Sequence, residues 1–462
     1  MLVSFRTCLA GEIRLDIMKK FPPPSGAIKN LDFPEIPSTI LEGGMEVINF
    51  EDGYLPRVSV VLGLPSGRLH DPDGKRGLTQ LLSDMLKEGS ENRSSRQIAA
   101  EIDRYAIDYS SRVFLEYTLL HFKFLENFIE ESMDLFSDIM YKAVFPEEEW
   151  AKAAVRWKGH LASQKSNPSY LARERIYSEL FPGSPLSNCS VALPTIDILE
   201  AGDFRCFYKK RFIPSSGIMG FSGPLSAGDS LTLARRFMGK SGEKRLPETS
   251  VSEVAPPNRR ICLVHRPGSQ QAKILIGLLA PPRKSGDSMS LKLLNQVFGG
   301  GGSSRVFLNL REDKGYTYGA YSYLRQSNYA GTFMVSTNVN NSVVAASIRE
   351  IFNEMDRLRQ ENISGEELDR CKAEINGTFL RQMETPSSIC SMELTRRLVK
   401  LPQDYYHEFI PALMAVGPDQ VRRAAESILN SERAVVVVVG DKDEIGADLA
   451  GLDPEMLQFE GQ

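Results

Sequence analysis

The chain has 462 residues, 42% of them apolar, enough to bury more than one core and to fill about two to four domains of ordinary size. Its 55 basic and 59 acidic side chains are spread along the sequence and leave a net charge of −4, so neither nucleic acid nor a membrane is an expected partner. The six cysteines, Cys8, Cys189, Cys206, Cys262, Cys371 and Cys390, are scattered, with no C-x-x-C pair and no dense disulfide framework. They read as buried small apolar residues of a chain in a reducing compartment.

The first 36 residues read as an N-terminal extension. Arg6, Glu12, Arg14 and Asp16 interrupt any apolar run of secretory-signal length, Met18 before Lys19-Lys20 is an alternative start, and Phe21-Pro22-Pro23-Pro24 prevents a helix. A first domain, 37–239, opens with two β-branched runs, 45–50 and 57–63, around a turn at Asp52-Gly53. A short helix over 77–88 follows, then helical stretches at 95–105, 125–144 and 146–165, and a closing strand at 217–223. Pro146 with Glu147, Glu148 and Glu149 suits a helix start. The polar, proline-punctuated segment 240–257 reads as a linker. The second domain, 258–462, repeats the order: strands at 260–264 and 272–277, helices at 342–361, 364–383 and 418–429, and a strand at 434–440. Gly63 and Gly277 lie 214 residues apart, and the strand-closing Gly223 and Gly440 lie 217 apart. Two anchors at nearly one offset indicate duplicated domains. Grouped rather than alternating strands and helices predict an α+β fold: two homologous domains, each a mostly antiparallel sheet packed against helices. The longest apolar stretches, such as 434–439, are strand-sized, and a cytoplasmic location is the expectation.

In the short helix, Leu78, Leu81, Leu82, Met85 and Leu86 make one apolar stripe, with Gln80, Ser83, Asp84 and Lys87 opposite. A helical zinc site of the H-x-x-E-H type needs imidazoles at 80 and 84 to grip one ion and a carboxylate at 83 to activate its water. Gln80, Ser83 and Asp84 stand there instead. The surrounding Gly67-Arg68, Asp71-Pro72, Gly74-Lys75, Gly77-Leu78 and Met85-Leu86 nevertheless resemble the stretch around the zinc helix of the insulinase and mitochondrial processing peptidase family. In that family the third ligand is a glutamate ahead of a polar-polar-proline segment; aligning Asn167-Pro168 there puts His160 at its place. Every zinc-ligand and base position thus departs from the family pattern.

The run 298–319 holds four consecutive glycines, Gly299, Gly300, Gly301 and Gly302. Glycines alone read as a flexible loop or a phosphate cradle, but no Lys-Ser/Thr follows and no parallel-sheet strand precedes, which excludes a P-loop. With Ser304-Arg305, Leu310-Arg311-Glu312, Lys314-Gly315 and Tyr318, the run resembles the same family's second-domain motif. The resemblance implies that Arg311 and Tyr318 reach across a closed chamber toward substrate, the phenol donating to a developing oxyanion and the guanidinium holding a peptide carbonyl or carboxylate. It also implies that the glycine loop touches substrate. By residue type alone, Arg311 is a surface ion pair and Tyr318 a packed ring.

His70 beside Asp71 and Asp73 reads as a solvated loop histidine, and His121, His265 and His407 follow no metal spacing. Asp84 with His160 offers at most a degenerate ion site, and no Ser-His-Asp or Cys-His arrangement has local support. The family's subunit is a pair of homologous α+β domains, and two subunits or two fused halves close like a clamshell around a peptide. The resemblance therefore implies a non-zinc subunit of a heterodimeric peptidase. It would hold no cofactor of its own, and a homologous partner would carry the zinc. One alternative is a catalytically silent scaffold or peptide-binding subunit; another, a self-sufficient zinc peptidase, requires the substitutions at 80, 83 and 84 to be tolerated.

Overall fold

In the computed structural model, residues 33–237, 246, 249–452 and 457–460 are described. Residues 1–32 of the expected extension, and 240–245 and 247–248 of the expected linker, lie outside them. The first half supplies strands β1 (Ser38–Ile40), β2 (Glu46–Glu51), β3 (Arg57–Leu64), β4 (Asp108–Val113), β5 (Thr118–Leu125) and β6 (Ile218–Gly223). The second supplies β7 (Arg260–His265), β8 (Gln271–Ala280), β9 (Ala320–Gln326), β10 (Gly331–Asn340), β11 (Val435–Gly440) and β12 (Leu457–Glu460). They form two six-stranded sheets, ordered β1-β2-β6-β3-β5-β4 and β12-β7-β11-β8-β10-β9. Neighbours are antiparallel except β2 with β6, β7 with β11 and β7 with β12. The α+β duplication expected from the spaced glycines is the architecture observed.

Six helices frame the candidate sites and the contact between the domains: α1 (Leu78–Met85), α2 (Glu147–Gln164), α3 (Pro168–Leu180), α4 (Ser288–Gly299), α5 (Gly365–Gln382) and α6 (Pro386–Leu398). Helices expected at 95–105, 146–165, 342–361, 364–383 and 418–429 are present within two residues of those bounds. The helix expected at 125–144 is shorter, Ile129–Tyr141, because Leu125 ends β5 and a 3-10 turn takes Glu126–Phe128. Helices α3 and α6 are additions to the expected elements, and they explain the repeat. The α3 helix, from the first half, packs Ala172, Ile176 and Leu180 against Leu275, Val435, Val437 and Val439 of the second sheet. The α6 helix, from the second half, packs Cys390 and Leu394 against Ile48, Val61, Leu119 and Ile218 of the first.

Each sheet is therefore covered on one face by its own helices and on the other by a helix of the opposite domain. That is why the central strands read as unbroken apolar runs rather than alternating ones. Two of the anchoring glycines, Gly63 and Gly277, sit at these crossings, as does Gly220. A Cβ on Gly63 would lie 2.5 Å from Leu394 Cδ2, one on Gly220 2.5 Å from Cys390 Sγ, and one on Gly277 2.7 Å from Ile176 Cδ1. Glycine at these strand positions lets a foreign helix approach. The chain just before β1 adds a third tie: Arg397 of α6 donates to the Ile36 carbonyl at 3.0 Å and to Ser38 Oγ at 2.8 Å.

Candidate functional site

The α1 helix is held from its N-terminus. The Asp71 carboxylate accepts from Gly77 N–H (2.7 Å), Thr79 N–H (2.8 Å) and Thr79 Oγ1 (2.6 Å), satisfying the first-turn donors that have no partner within the helix. Burial raises the Asp71 carboxyl to about 6 against those opposing hydrogen bonds. Gly77 is required here: its φ is +99°, and an added Cβ would meet Val191 Cα at 2.5 Å. His70 closes the preceding turn, its Nδ1 accepting from Gly67 N–H at 2.9 Å; burial lowers its pKa to about 4, so the ring is neutral. It is half-buried and occupied, not a solvated histidine.

The positions of the family's zinc site come together in space. Gln80 from α1 and His160 from α2 line one cavity of about 210 Å³. Trp157 stands between, its ring edge-on to His160 at 5.5 Å. Gln80 Nε2 donates to Asp84 Oδ1 at 3.1 Å, so the two residues in the imidazole positions satisfy each other. Burial lifts the Asp84 carboxyl to about 6, partly offset by the hydrogen bonds from Gln80 and Trp157. Ser83, placed on the polar face by sequence, is fully buried instead, and its Oγ has no hydrogen-bond partner among the described residues. The helix is enclosed on nearly every side, so the position reserved for a general base faces packing. An amide, one already hydrogen-bonded carboxylate and one imidazole do not make a zinc donor set. Among the described residues no group of three His, Cys, Asp or Glu converges.

The glycine-rich run is built differently. Gly299 ends α4, where a Cβ would meet Ser322 N at 2.5 Å, and one on Gly300 would meet Gln296 Cα at 2.6 Å. These two glycines are explained by packing. Gly301 and Gly302 are looser, with nearest contacts at 3.3 Å and 3.8 Å. Glu374 of α5 fixes the loop by accepting from Gln296 Nε2 (2.7 Å) and Ser303 Oγ (2.6 Å). Arg305 makes a two-bond pair with Glu367, at 2.9 and 2.8 Å, and so pins the following turn to the same helix.

That turn, Leu308–Asp313, is wound as a wide π-type turn, a form that often marks functional positions. It carries Arg311, whose guanidinium lies 4.9 Å from the Phe307 ring centre and 3.2 Å from Glu312. Downstream, Thr317 Oγ1 donates to the Asn338 carbonyl at 2.7 Å and accepts from Thr337 Oγ1 at 3.0 Å. The backbone at 317 is fixed, while the next side chain, Tyr318, is 90% exposed. Tyr318 is thus not the packed ring that residue type suggests, whereas Arg311 does make the surface ion pair. Neither lines the cavity of Gln80 and His160.

Of the other histidines, His265 Nδ1 accepts from Lys442 N–H at 3.0 Å, His407 stands edge-on to Phe33 at 6.3 Å, and burial lowers His121 to about 4. None belongs to a group of three potential metal ligands among the described residues. No helix among the described residues is long and apolar enough to cross a membrane.

Two family models match the chain: "Insulinase (Peptidase family M16)" over residues 47–192 and "Peptidase M16 inactive domain" over residues 199–375. An uncharacterised zinc protease of Streptomyces coelicolor is 22% identical over 88% of this chain and 90% of its own length. The crystal structure of a peptidase M16 inactive domain from Pseudomonas fluorescens superposes with a TM-score of 0.82 at 22% identity, over 88% of this chain and 98% of that one. A Helicobacter pylori protease structure gives a TM-score of 0.82 at 17% identity, over 88% and 100%. With both of its halves matched and the two-domain fold shared, the chain belongs to the M16, or insulinase, family of peptidases.

Proposed function

We propose that this chain is the non-zinc subunit of a two-chain M16 peptidase. It supplies Arg311, Tyr318 and one wall of the peptide chamber to a homologous subunit that carries the metal. The observation behind this reading is that Tyr318 follows a firmly pinned turn yet is 90% exposed, while Arg311 on that turn stays half-exposed beside Glu312 and the Phe307 ring. A phenol held by fixed flanking backbone but left in solvent gains nothing for stability. It is suited to donate to a carbonyl oxygen that becomes an oxyanion during attack. Arg311, half-exposed beside it in sequence, is suited to grip a peptide carbonyl or carboxylate.

The chain's own Gln80–Asp84–His160 group takes no part in the chemistry. Gln80 and Asp84 are engaged with each other, and Ser83 is out of reach of water. Peptide bond cleavage then needs metal and general base from the partner. Gly301 and Gly302, which packing leaves more open, would let a peptide backbone approach the second domain, while Gly299 lets α4 lie against β9 and Gly300 lies close over Gln296 of α4. A cytoplasmic location accords with the scattered cysteines, of which Cys189, Cys206, Cys371 and Cys390 are free of disulfides.

The test is reconstitution. The chain alone should not hydrolyse a panel of unstructured peptides, and addition of a zinc-bearing M16 subunit from the same cell should give chelator-sensitive cleavage. Robust cleavage by this chain alone, or none by any pair, would overturn the reading.

A further inference from the structure

Where the two domains meet, a cavity of about 470 Å³ lies between the turn after β4, the helix α3 and the hairpin of β9 and β10. Four arginines line it: Arg68, Arg173, Arg283 and Arg325. Only Arg283 is neutralised. Its guanidinium pairs with Glu116 at 3.1 Å, and Glu116 is further occupied by Asn328 N–H at 3.0 Å. Arg68 is turned inward and donates to two main-chain carbonyls, Val113 O at 2.6 Å and Asn188 O at 3.1 Å. Arg173 lies 5.7 Å from the Tyr170 ring centre and Arg325 5.3 Å from that of Tyr323. Among the described residues none of these three has a carboxylate within ion-pair distance. The nearby Glu174 is paired with Arg76 at 2.8 Å.

Three like charges around one recess repel each other, and Arg68 bears a desolvation penalty that lowers its pKa. Such a constellation is stabilised by an anion, and the planar guanidinium fork favours carboxylate geometry. The place in the fold suggests what carries the carboxylate. β4 is one edge strand of the first sheet and β9 one edge strand of the second. Arg68 holds the last carbonyl of β4, and Arg325 lies at the end of β9. A peptide added as a further strand along either edge runs its end into the arginines. We propose that Arg68, Arg173 and Arg325 form a carboxylate pocket for an extended acidic peptide, taking an Asp or Glu side chain or the terminal carboxylate. The pocket rests on the proposed peptide-binding function, and it names the class of peptide.

The experiment uses the full chain and fluorescence anisotropy. The probes are an unstructured Glu-containing peptide, its Gln counterpart, both again with amidated C-termini, and inorganic phosphate as competitor. The Glu peptide should bind about tenfold or more tightly than the Gln peptide, and added salt should weaken the Glu peptide most. Arg173→Gln with Arg325→Gln, both on exposed side chains, should erase the preference while leaving the melting temperature and the Gln-peptide affinity unchanged. Affinity lost on replacing Glu by Gln assigns the side chain; affinity lost on amidation assigns the terminus; either supports the pocket. Affinity unchanged by both replacements would overturn the pocket and leave peptide binding standing. Arginine-dependent phosphate binding with no peptide bound would overturn the peptide occupant. Failure of every peptide to bind, alone or with a zinc-bearing partner, would remove the proposed function as well.

Discussion

The helix α1 and the turn bearing Arg311 are both family landmarks, and they have met opposite fates. In α1 the side chains at the ligand positions have turned to one another: Gln80 donates to Asp84, and Ser83 is enclosed in packing. On the Arg311 turn the scaffold is held as tightly, by Arg305 with Glu367 and by Glu374 with Ser303, yet the Tyr318 side chain above it is left in solvent. A polar group that has lost its external task finds an internal partner or is buried. On the proposed function, a group that keeps its task, as Tyr318 does, is held rigidly and left unsatisfied.

The sharpest way to break this contrast is Tyr318→Phe in the reconstituted pair. Turnover should fall by about 100- to 1,000-fold, as on removal of other oxyanion donors, with no change in melting temperature because the hydroxyl is solvent-exposed. Arg311→Ala should act mainly through KM, on the order of tenfold, because its grip is felt in ground and transition states alike. Normal steady-state kinetics in both variants would leave the chain as a scaffold.

Gly277→Val probes the framework that holds the two regions apart. Its Cβ enters Ile176, and overpacking of this kind costs about 1–3 kcal/mol in chemical denaturation. Gly53→Ala, where a Cβ meets nothing within 4 Å, is the control and should be close to neutral. Asp84→Asn is smaller. The folded carboxyl sits near 6 against an ordinary value of 3.8, so its neutral form is favoured by folding. The wild type is therefore relatively more stable below about pH 4 and loses that advantage as pH rises through 6. The Asn variant, which keeps an acceptor for Gln80, should be more stable than wild type by roughly 1–2 kcal/mol at pH 7, with the difference vanishing near pH 4. A pH-independent difference would mean that Asp84 is not strained by burial. The last expectation is no effect at all: the purified chain should carry well under one equivalent of zinc, and a chelator should leave its melting temperature unmoved.

Much of the fold is legible in the sequence because β-branched runs and duplicated glycines are local signals. Gly63 and Gly277 announce two copies of one domain, but not why glycine stands there, since the reason lies on α6 and α3 of the opposite halves. Those helices are hard to see in sequence because Ala172, Ile176 and Leu180 form only a narrow stripe among charged neighbours, and Cys390 and Leu394 a narrower one. The departure from the H-x-x-E-H pattern is visible in Gln80, Ser83 and Asp84 directly. The burial of Ser83 is not, because an amphipathic pattern assigns one covered face where the tertiary structure covers several. Arg305 and Glu367 are 62 residues apart, so the pinning of the Arg311 turn needs the fold. So does the gathering of Arg68, Arg173 and Arg325, each unremarkable in its own segment.

The exchange of α3 and α6 between the halves has a mechanical consequence. A hinge between the two domains would have to pull Ile176 off the second sheet and Leu394 off the first, exposing apolar strand faces on both sides at once. On the proposed two-chain reading, opening and closing around a peptide would belong to the contact between subunits, and each subunit would move as one body. Cutting the chain between the halves should leave two fragments that stay together through a denaturing gradient until both melt in a single transition. Expressed separately, each half lacks the helix that covers its sheet and should aggregate. The boundary drawn by the repeat in the sequence marks where the gene was copied, not where the molecule can be taken apart.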